Sequence, residues 1–185
     1  MTWDPLDMGW RTTGLAIREE NVKIKDILKL AISIVLCQLT GFLGSLFTAP
    51  AIPTWYKTLK KPFFSPPNWI FSPVWISLFI LMGISLFMVW RKQDHPRFKI
   101  TLIFFLIQLI FNILWSVAFF GLRSPLLGLI DIVLLWLAIL LTIQYCFRIS
   151  RMAGLLLLPY ILWVSFAVAL NFSIWILNTW VDAGG

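Results

Sequence analysis

The sequence predicts an all-α integral membrane protein: a bundle of five transmembrane helices, with a lid loop rich in proline and tryptophan between the first two. Three observations predict it. Charged residues make up only 12% of the 185-residue chain and hydrophobic ones 60%, against about 25% charged in an ordinary soluble domain. Five apolar runs, at about 28–49, 69–90, 100–121, 125–147 and 153–178, reach the roughly 20 residues that a helix rising about 1.5 Å per residue needs to cross a hydrocarbon layer about 30 Å thick. None of them shows the alternation of a barrel strand. A helix satisfies its own backbone in lipid, where an isolated strand does not.

No polar stretch is long enough for a second domain. Residues 1–27 read as a polar tail, 28–178 as the membrane domain and 179–185 as a short C-terminal tail. The first stretch lacks the basic start, apolar core and small-residue cleavage site of a removable signal. Glu19, Glu20 and Asp26 count against a transit peptide. The net charge of +7 sorts by side of the membrane, and no nucleic acid partner is implied. Arg11, Arg18, Lys23, Lys25, Lys29, Arg91, Lys92, Arg97, Lys99, Arg148 and Arg151 fall on one side, against Lys57, Lys60, Lys61 and Arg123 on the other. The positive-inside rule then puts the N-terminus in the cytoplasm. A bacterial-type cell membrane is the expected location, with an organelle membrane as the alternative. Short connections follow the second, third and fourth spans, so consecutive helices are expected to be antiparallel neighbours. No internal repeat argues for an inverted-repeat transporter.

The first connection departs from this economy. It holds Pro50, Pro53, Pro62, Pro66, Pro67 and Pro73, six of the chain's ten prolines. Each fixes its own φ and biases the preceding residue towards extended geometry, so the segment is stiff. Trp55, Trp69 and the lysines would suit an interfacial aromatic belt, but a belt does not call for stiffness. A lid over a pocket explains both. Ser72 or Asn68 is expected to cap the second helix.

Along the spans, aromatic and polar residues share helix faces. Trp75, Phe79, Met82 and Leu86 do so on the second span. Gln108, Asn112, Trp115, Ser116 and Phe119 do so on the third, and Trp163, Phe166, Ala167, Leu170 and Asn171 on the fifth. Such spacing puts side chains on one surface. That surface either packs helices together, with the amides as hydrogen-bonding glue, or lines an apolar pocket with a few polar groups. Trp75, Trp136 and Trp163 lie deeper than belt tryptophans, and a buried indole N–H wants an acceptor. On the fourth span Asp131 is the one carboxylate well inside the membrane, a functional candidate by default.

Chemistry is limited by what is missing. The only histidine, His95, sits in the charged loop "RKQDHPRFK", and Cys37 and Cys146 fall in separate spans. That leaves few ligands for zinc, copper or haem iron, no disulfide framework and no catalytic triad. No metal or cofactor is called for.

The stretch "WYKTLKKPFFSPPNWIFSPVW" resembles the WYxxLxKPxxxPPxxxFxxVW signature of the TspO/MBR family, the tryptophan-rich sensory proteins that include the mitochondrial translocator protein. "NILWSVAFF", "DIVLLW" and "PYILWVSFAVALNFSIWILN" fit its third, fourth and fifth helices, so the likeness covers about residues 28–178. The resemblance implies a five-helix bundle, often a homodimer, with a pocket capped by the first loop. It implies porphyrin ligands, with cholesterol and benzodiazepine-type drugs for mitochondrial relatives. Trp75 and Trp163 match the family's pocket tryptophans, Tyr56 and Pro66 its loop positions, and Phe79, Gln108, Asn112 and Ala167 its walls. Adding the aromatic and amide neighbours Trp55, Phe71, Trp115, Phe166 and Asn171 completes the candidate ligand-binding set. The sterol motif of animal relatives is not matched: Phe172 and Ile176 stand where tyrosine and arginine would be. Leu141, Tyr145 and Arg148 meet that loose pattern elsewhere, and a sterol ligand is not expected.

The reading is therefore a membrane receptor, sensor or transporter for tetrapyrroles or related flat hydrophobic ligands. One alternative is an enzyme that degrades porphyrin with light and oxygen, with Trp75 and Trp163 as relays. Another is a ligand-responsive regulator that binds a protein partner. Gly128 and Gly154 would allow close helix approach, including in a homodimer.

Overall fold

In the computed structural model the backbone is described for residues 6–179 and the side chains for residues 23–179. The distal part of the expected N-terminal tail and residues 180–185 lie outside that range. The expected spans are all present as helix. Helix α1 is Leu6–Ala51, α2 the short Trp55–Thr58, α3 Phe71–Trp90, α4 Phe98–Ser116, α5 Pro125–Ile149, α6 Arg151–Leu156 and α7 Leu158–Thr179. Five stretches, Lys23–Ala51, Asn68–Trp90, Phe98–Gly121, Pro125–Ile149 and Arg151–Thr179, are long and apolar enough to cross a membrane.

Local chemistry explains most of the ends. Pro125 opens α5 where its missing N–H costs nothing, and the Ser124 hydroxyl accepts from the Leu127 N–H at 3.3 Å. Neither Ser72 nor Asn68 caps α3 as expected. A 3-10 turn, Asn68–Ile70, runs straight into the helix with no side-chain cap bond. Two prolines ahead of it already fix the approach of the chain. The fifth span is two helices rather than one. Pro159 has no N–H to give the Leu155 carbonyl, and its ring crowds that carbonyl. The chain tightens at Leu157, whose N–H donates to the Gly154 carbonyl at 3.2 Å, before α7 starts. At the end of α4 the turn widens into a π-helical one, Val117–Gly121, in which the Leu122 N–H reaches back to the Val117 carbonyl at 2.7 Å. Arg123, with φ 52°, then reverses the chain in the left-handed region.

The expected neighbour order needs one correction. Helix α1 packs against both α3 and α4, which barely meet; α5 packs against α4 and α7, and α6 closes the ring against α3. Missing side chains let α1 wedge between the second and third spans. A Cβ on Gly41 would lie 2.5 Å from the Phe79 ring of α3, and one on Gly44 would lie 2.8 Å from the Ser116 hydroxyl of α4. Gly128 and Gly154 also serve contacts inside the chain. Phe119 covers the first and Phe147 the second.

Away from the first loop the bundle is solid. Met82, Phe105, Ile139, Cys146, Ala153, Leu157 and Val164 are completely buried. Because lipid tails are as apolar as these side chains, the packing is stabilised by close contact and hydrogen bonds rather than by escape from water. The Ser85 hydroxyl donates to the Ala153 carbonyl at 2.8 Å, tying α3 to α6, and the Lys92 ammonium donates to the Ile149 carbonyl at 2.9 Å, closing the end of α5. His95 serves its own turn, its Nδ1 accepting from the Arg97 N–H at 3.2 Å.

Candidate functional site

At the other end the same helices separate around a cavity of about 470 Å³, a size typical of small-molecule sites. One wall is aromatic. Trp75 stacks on Phe79 at 5.5 Å between ring centres and tilts against Trp115 at 6.4 Å, and Trp115 stacks on Phe119 at 5.6 Å. The π turn contributes here: its extra residue turns Phe119 and Phe120 inward together, and both line the cavity.

The amides hold this wall in place. Trp115 Nε1 donates to Asn171 Oδ1 at 3.2 Å, and Asn171 Nδ2 donates to the Pro125 carbonyl at 2.7 Å. One residue thus joins α4, α5 and α7. Asn112 Nδ2 donates to the Tyr160 hydroxyl at 3.0 Å on the cavity floor. Trp136 finds its acceptor in Ser165, at 2.8 Å, outside the site.

Of the candidate residues, Tyr56, Phe71, Trp75, Phe79, Asn112, Trp115, Ala167 and Asn171 line the cavity. Trp55, Pro66, Gln108, Trp163 and Phe166 do not. Trp55 backs the wall edge-on to Phe119 at 5.5 Å. Gln108 lies one turn below Asn112, completely buried, with neither end of its amide bonded. Trp163 sits to one side, 6.1 Å from Phe71 and 5.5 Å from Phe166, with its indole N–H buried and unpartnered. Phe166 meets Phe64 of the lid at 6.2 Å. Pro66 belongs to the lid. Asp131 on α5 is half-buried, with one carboxylate oxygen enclosed and unbonded, and it does not line the cavity.

The sequence reading missed the contribution of α1. Gln38, Gly41, Ser45 and Thr48 line the cavity at i, i+3, i+7 and i+10, and Ile52, just past the end of the helix, lines it too. A stripe of small and polar residues along an otherwise apolar span was the available signal.

The first loop closes over the cavity. Asn178 pins it from α7: its Oδ1 accepts from the Lys60 N–H and its Nδ2 donates to the Lys60 carbonyl, each at 3.0 Å. Tyr56 faces in and is buried, and the Lys61 ammonium lies 4.3 Å from its ring centre, a cation–π contact. Burial pushes the Tyr56 phenol above its usual range, partly offset by the Ser65 hydroxyl, and lowers the Lys61 ammonium. Phe63 and Trp69 point outward, 101% and 72% exposed. The segment thus has two faces, one turned to the cavity and one carrying exposed aromatic rings.

A model of the family described as TspO/MBR matches residues 33–176. The chain belongs to that family. Among its relatives, the tryptophan-rich protein TspO of Archaeoglobus fulgidus is 50% identical over 155 residues, 83% of this chain and 99% of the relative. The protein CrtK of Rhodobacter capsulatus is 39% identical, covering 80% of this chain and 91% of its own. The human translocator protein is 34% identical over 72% of this chain and 80% of its own. With five spanning helices, this TspO/MBR member is a multi-pass integral membrane protein.

Proposed function

We propose that this protein binds a tetrapyrrole, or a similarly flat hydrophobic molecule, in the cavity beneath the lid, and acts as its membrane sensor or carrier. The observation that supports this most is the run of stacked rings, Trp75, Phe79, Trp115 and Phe119, along one wall of a cavity about 470 Å³ in volume. A planar macrocycle matches such a wall by offset stacking. The lid-side cations Lys57, Lys60 and Lys61 are the groups to meet carboxylates at the ligand's polar edge. On the positive-inside reading the lid faces away from the cytoplasm.

Among the described residues, no histidine, cysteine or methionine lines the cavity. Among the described residues Tyr56 is the one lining side chain of a type that ligates haem iron, and burial disfavours its phenolate. Recognition therefore rests on shape and stacking, and metal-free protoporphyrin IX binds at least as well as haem. A marked preference for haem would contradict this account.

The test is tryptophan quenching by protoporphyrin IX, in the dark, in nanodiscs. Wild type quenches saturably. Trp75→Phe weakens binding by about tenfold, or about 1.4 kcal/mol, and Trp163→Phe, off the wall, by about twofold. Non-saturating quenching that is equal in all three proteins would reduce the porphyrin to a solute in the lipid. The contact between the Trp75 and Trp115 rings also favours a second reading, in which these indoles relay electrons to an illuminated porphyrin in the presence of oxygen. A new absorbing product on illumination, lost in Trp75→Phe after correction for occupancy, separates catalyst from carrier.

A further inference from the structure

We propose that the ligand enters and leaves this cavity sideways, from the hydrocarbon of the bilayer, through a portal between α1 and α3, while the lid stays shut. This rests on the cavity being the ligand site proposed above. Four residues carry it. Phe42 and Ser45 of α1 and Ser72 and Ile76 of α3 line the cavity and also face outward. Phe42 is 60% and Ile76 53% exposed, and both lie well inside spans that cross the membrane. The cavity therefore opens through the side of the bundle, at a depth where its surroundings are acyl chains and not water.

The seam between these helices shows where the portal ends. Furthest from the lid it is sealed: a Cβ on Gly83 of α3 would lie 2.6 Å from the Cα of Ile34, so backbone meets backbone. Nearer the lid, Phe79 fills the notch at Gly41. Beside that contact a polar bond spans the gap, Gln38 Nε2 donating to the Ile76 carbonyl at 3.1 Å. Beyond it the walls are the small residues Ser45 and Ser72, with Phe42 and Ile76 as bulky side chains at the rim. Gln38 marks the sill of the opening and Phe42 partly screens it.

The lid offers a harder path. Opening it breaks both hydrogen bonds between Lys60 and Asn178, separates Phe64 from Phe166 and Trp55 from Phe119, and bends a proline-stiffened segment. A hydrophobic ligand already concentrates in the bilayer, so the lateral route also spares it a return to water.

Two measurements test the proposal. The first is the association rate of protoporphyrin IX in nanodiscs by stopped-flow quenching. Ser45→Phe, which narrows the portal, is expected to slow association by about fivefold or more, and Phe42→Ala to speed it by about threefold. Asn178→Ala, which loosens the lid, leaves the rate within about twofold. Acceleration by Asn178→Ala with no change in Ser45→Phe would overturn the portal in favour of the lid.

The second measurement needs no porphyrin. A phosphatidylcholine with a diazirine midway along one chain is photolysed in the same nanodiscs, and its adducts are mapped by peptide mass spectrometry. Adducts on the cavity residues Trp75, Ser116 and Phe119, falling by about fivefold in Ser45→Phe, support the portal. Adducts confined to outward residues such as Ile103 and Leu134 overturn it. Absence of saturable porphyrin binding in wild type counts against the tetrapyrrole reading alone, because the lipid adducts still decide the portal.

Discussion

Away from the lid, Met82, Phe105, Ile139, Cys146 and Leu157 leave no surface exposed, whereas beneath the lid the same helices enclose about 470 Å³. Hydrophobicity does not separate the two halves, since both are built from apolar and aromatic residues. Shape does. In the solid half small residues meet large ones or backbone, as Gly83 meets Ile34 and Gly154 meets Phe147. In the hollow half flat rings stand beside Ser45, Ser72, Ser116 and Ala167, and amides tie the rings to the scaffold before they can collapse inward. The bonds from Trp115 to Asn171 and from Asn171 to the Pro125 carbonyl hold the ring wall in place around the cavity.

That contrast breaks most readily at Gly83. Gly83→Val drives side-chain carbon into the Ile34 backbone, an obstacle no rotamer relieves. The expected cost is about 3 kcal/mol, seen as a lowered thermal unfolding midpoint in nanodiscs. A midpoint equal to wild type would show that the solid half yields at the Gly83–Ile34 contact.

The lid comes next in size. Asn178→Ala removes the two bonds to Lys60 and a third to the Ile174 carbonyl at 2.7 Å. Some of these groups regain water, so the loss is about 1–2 kcal/mol. Its signature is local: faster amide hydrogen exchange over residues 57–64, with no change in α5. Faster exchange throughout the bundle would mean that lid and core are one cooperative unit.

A smaller effect concerns pH. An unfolded phenol releases its proton near pH 10, and burial holds the Tyr56 proton to higher pH. Above pH 10 the folded state therefore binds more protons than the unfolded one, and stability falls as pH climbs through that window. Below it the contribution is fully present. Lid exchange should rise above pH 10 in wild type and rise less in Tyr56→Phe; equal pH dependence in the two would remove Tyr56 as the cause.

The smallest effect is expected at Gln108. Its buried amide has no partner, so Gln108→Leu exchanges an unsatisfied polar group for an apolar one of similar size, and the unfolding midpoint should hold or rise. Because Gln108 lies below the cavity floor, protoporphyrin affinity should stay within about twofold. A large loss of affinity would extend the cavity downward past Asn112.

These residues also show how far the sequence could be read. The count and approximate limits of the five spans and the proline-rich make-up of the first loop follow from chain chemistry alone, whereas Tyr56 was expected at the ligand only from the family resemblance. Hydrocarbon thickness sets the length of a span, lipid forces each one to be helical, and proline fixes φ. The solved relations are of another kind. Gln108 and Asn112 looked equivalent on one helix face, as did Trp163 and Ala167, yet one of each pair lines the cavity and the other packs beside it. The place of α1 between α3 and α4, the portal at its edge and the π turn that brings in Phe120 left no trace in hydropathy. In water a helix betrays its buried face by its polar one. In a bilayer both faces are apolar, so rotation and neighbour order are decided only when side chains of particular shapes meet across the bundle.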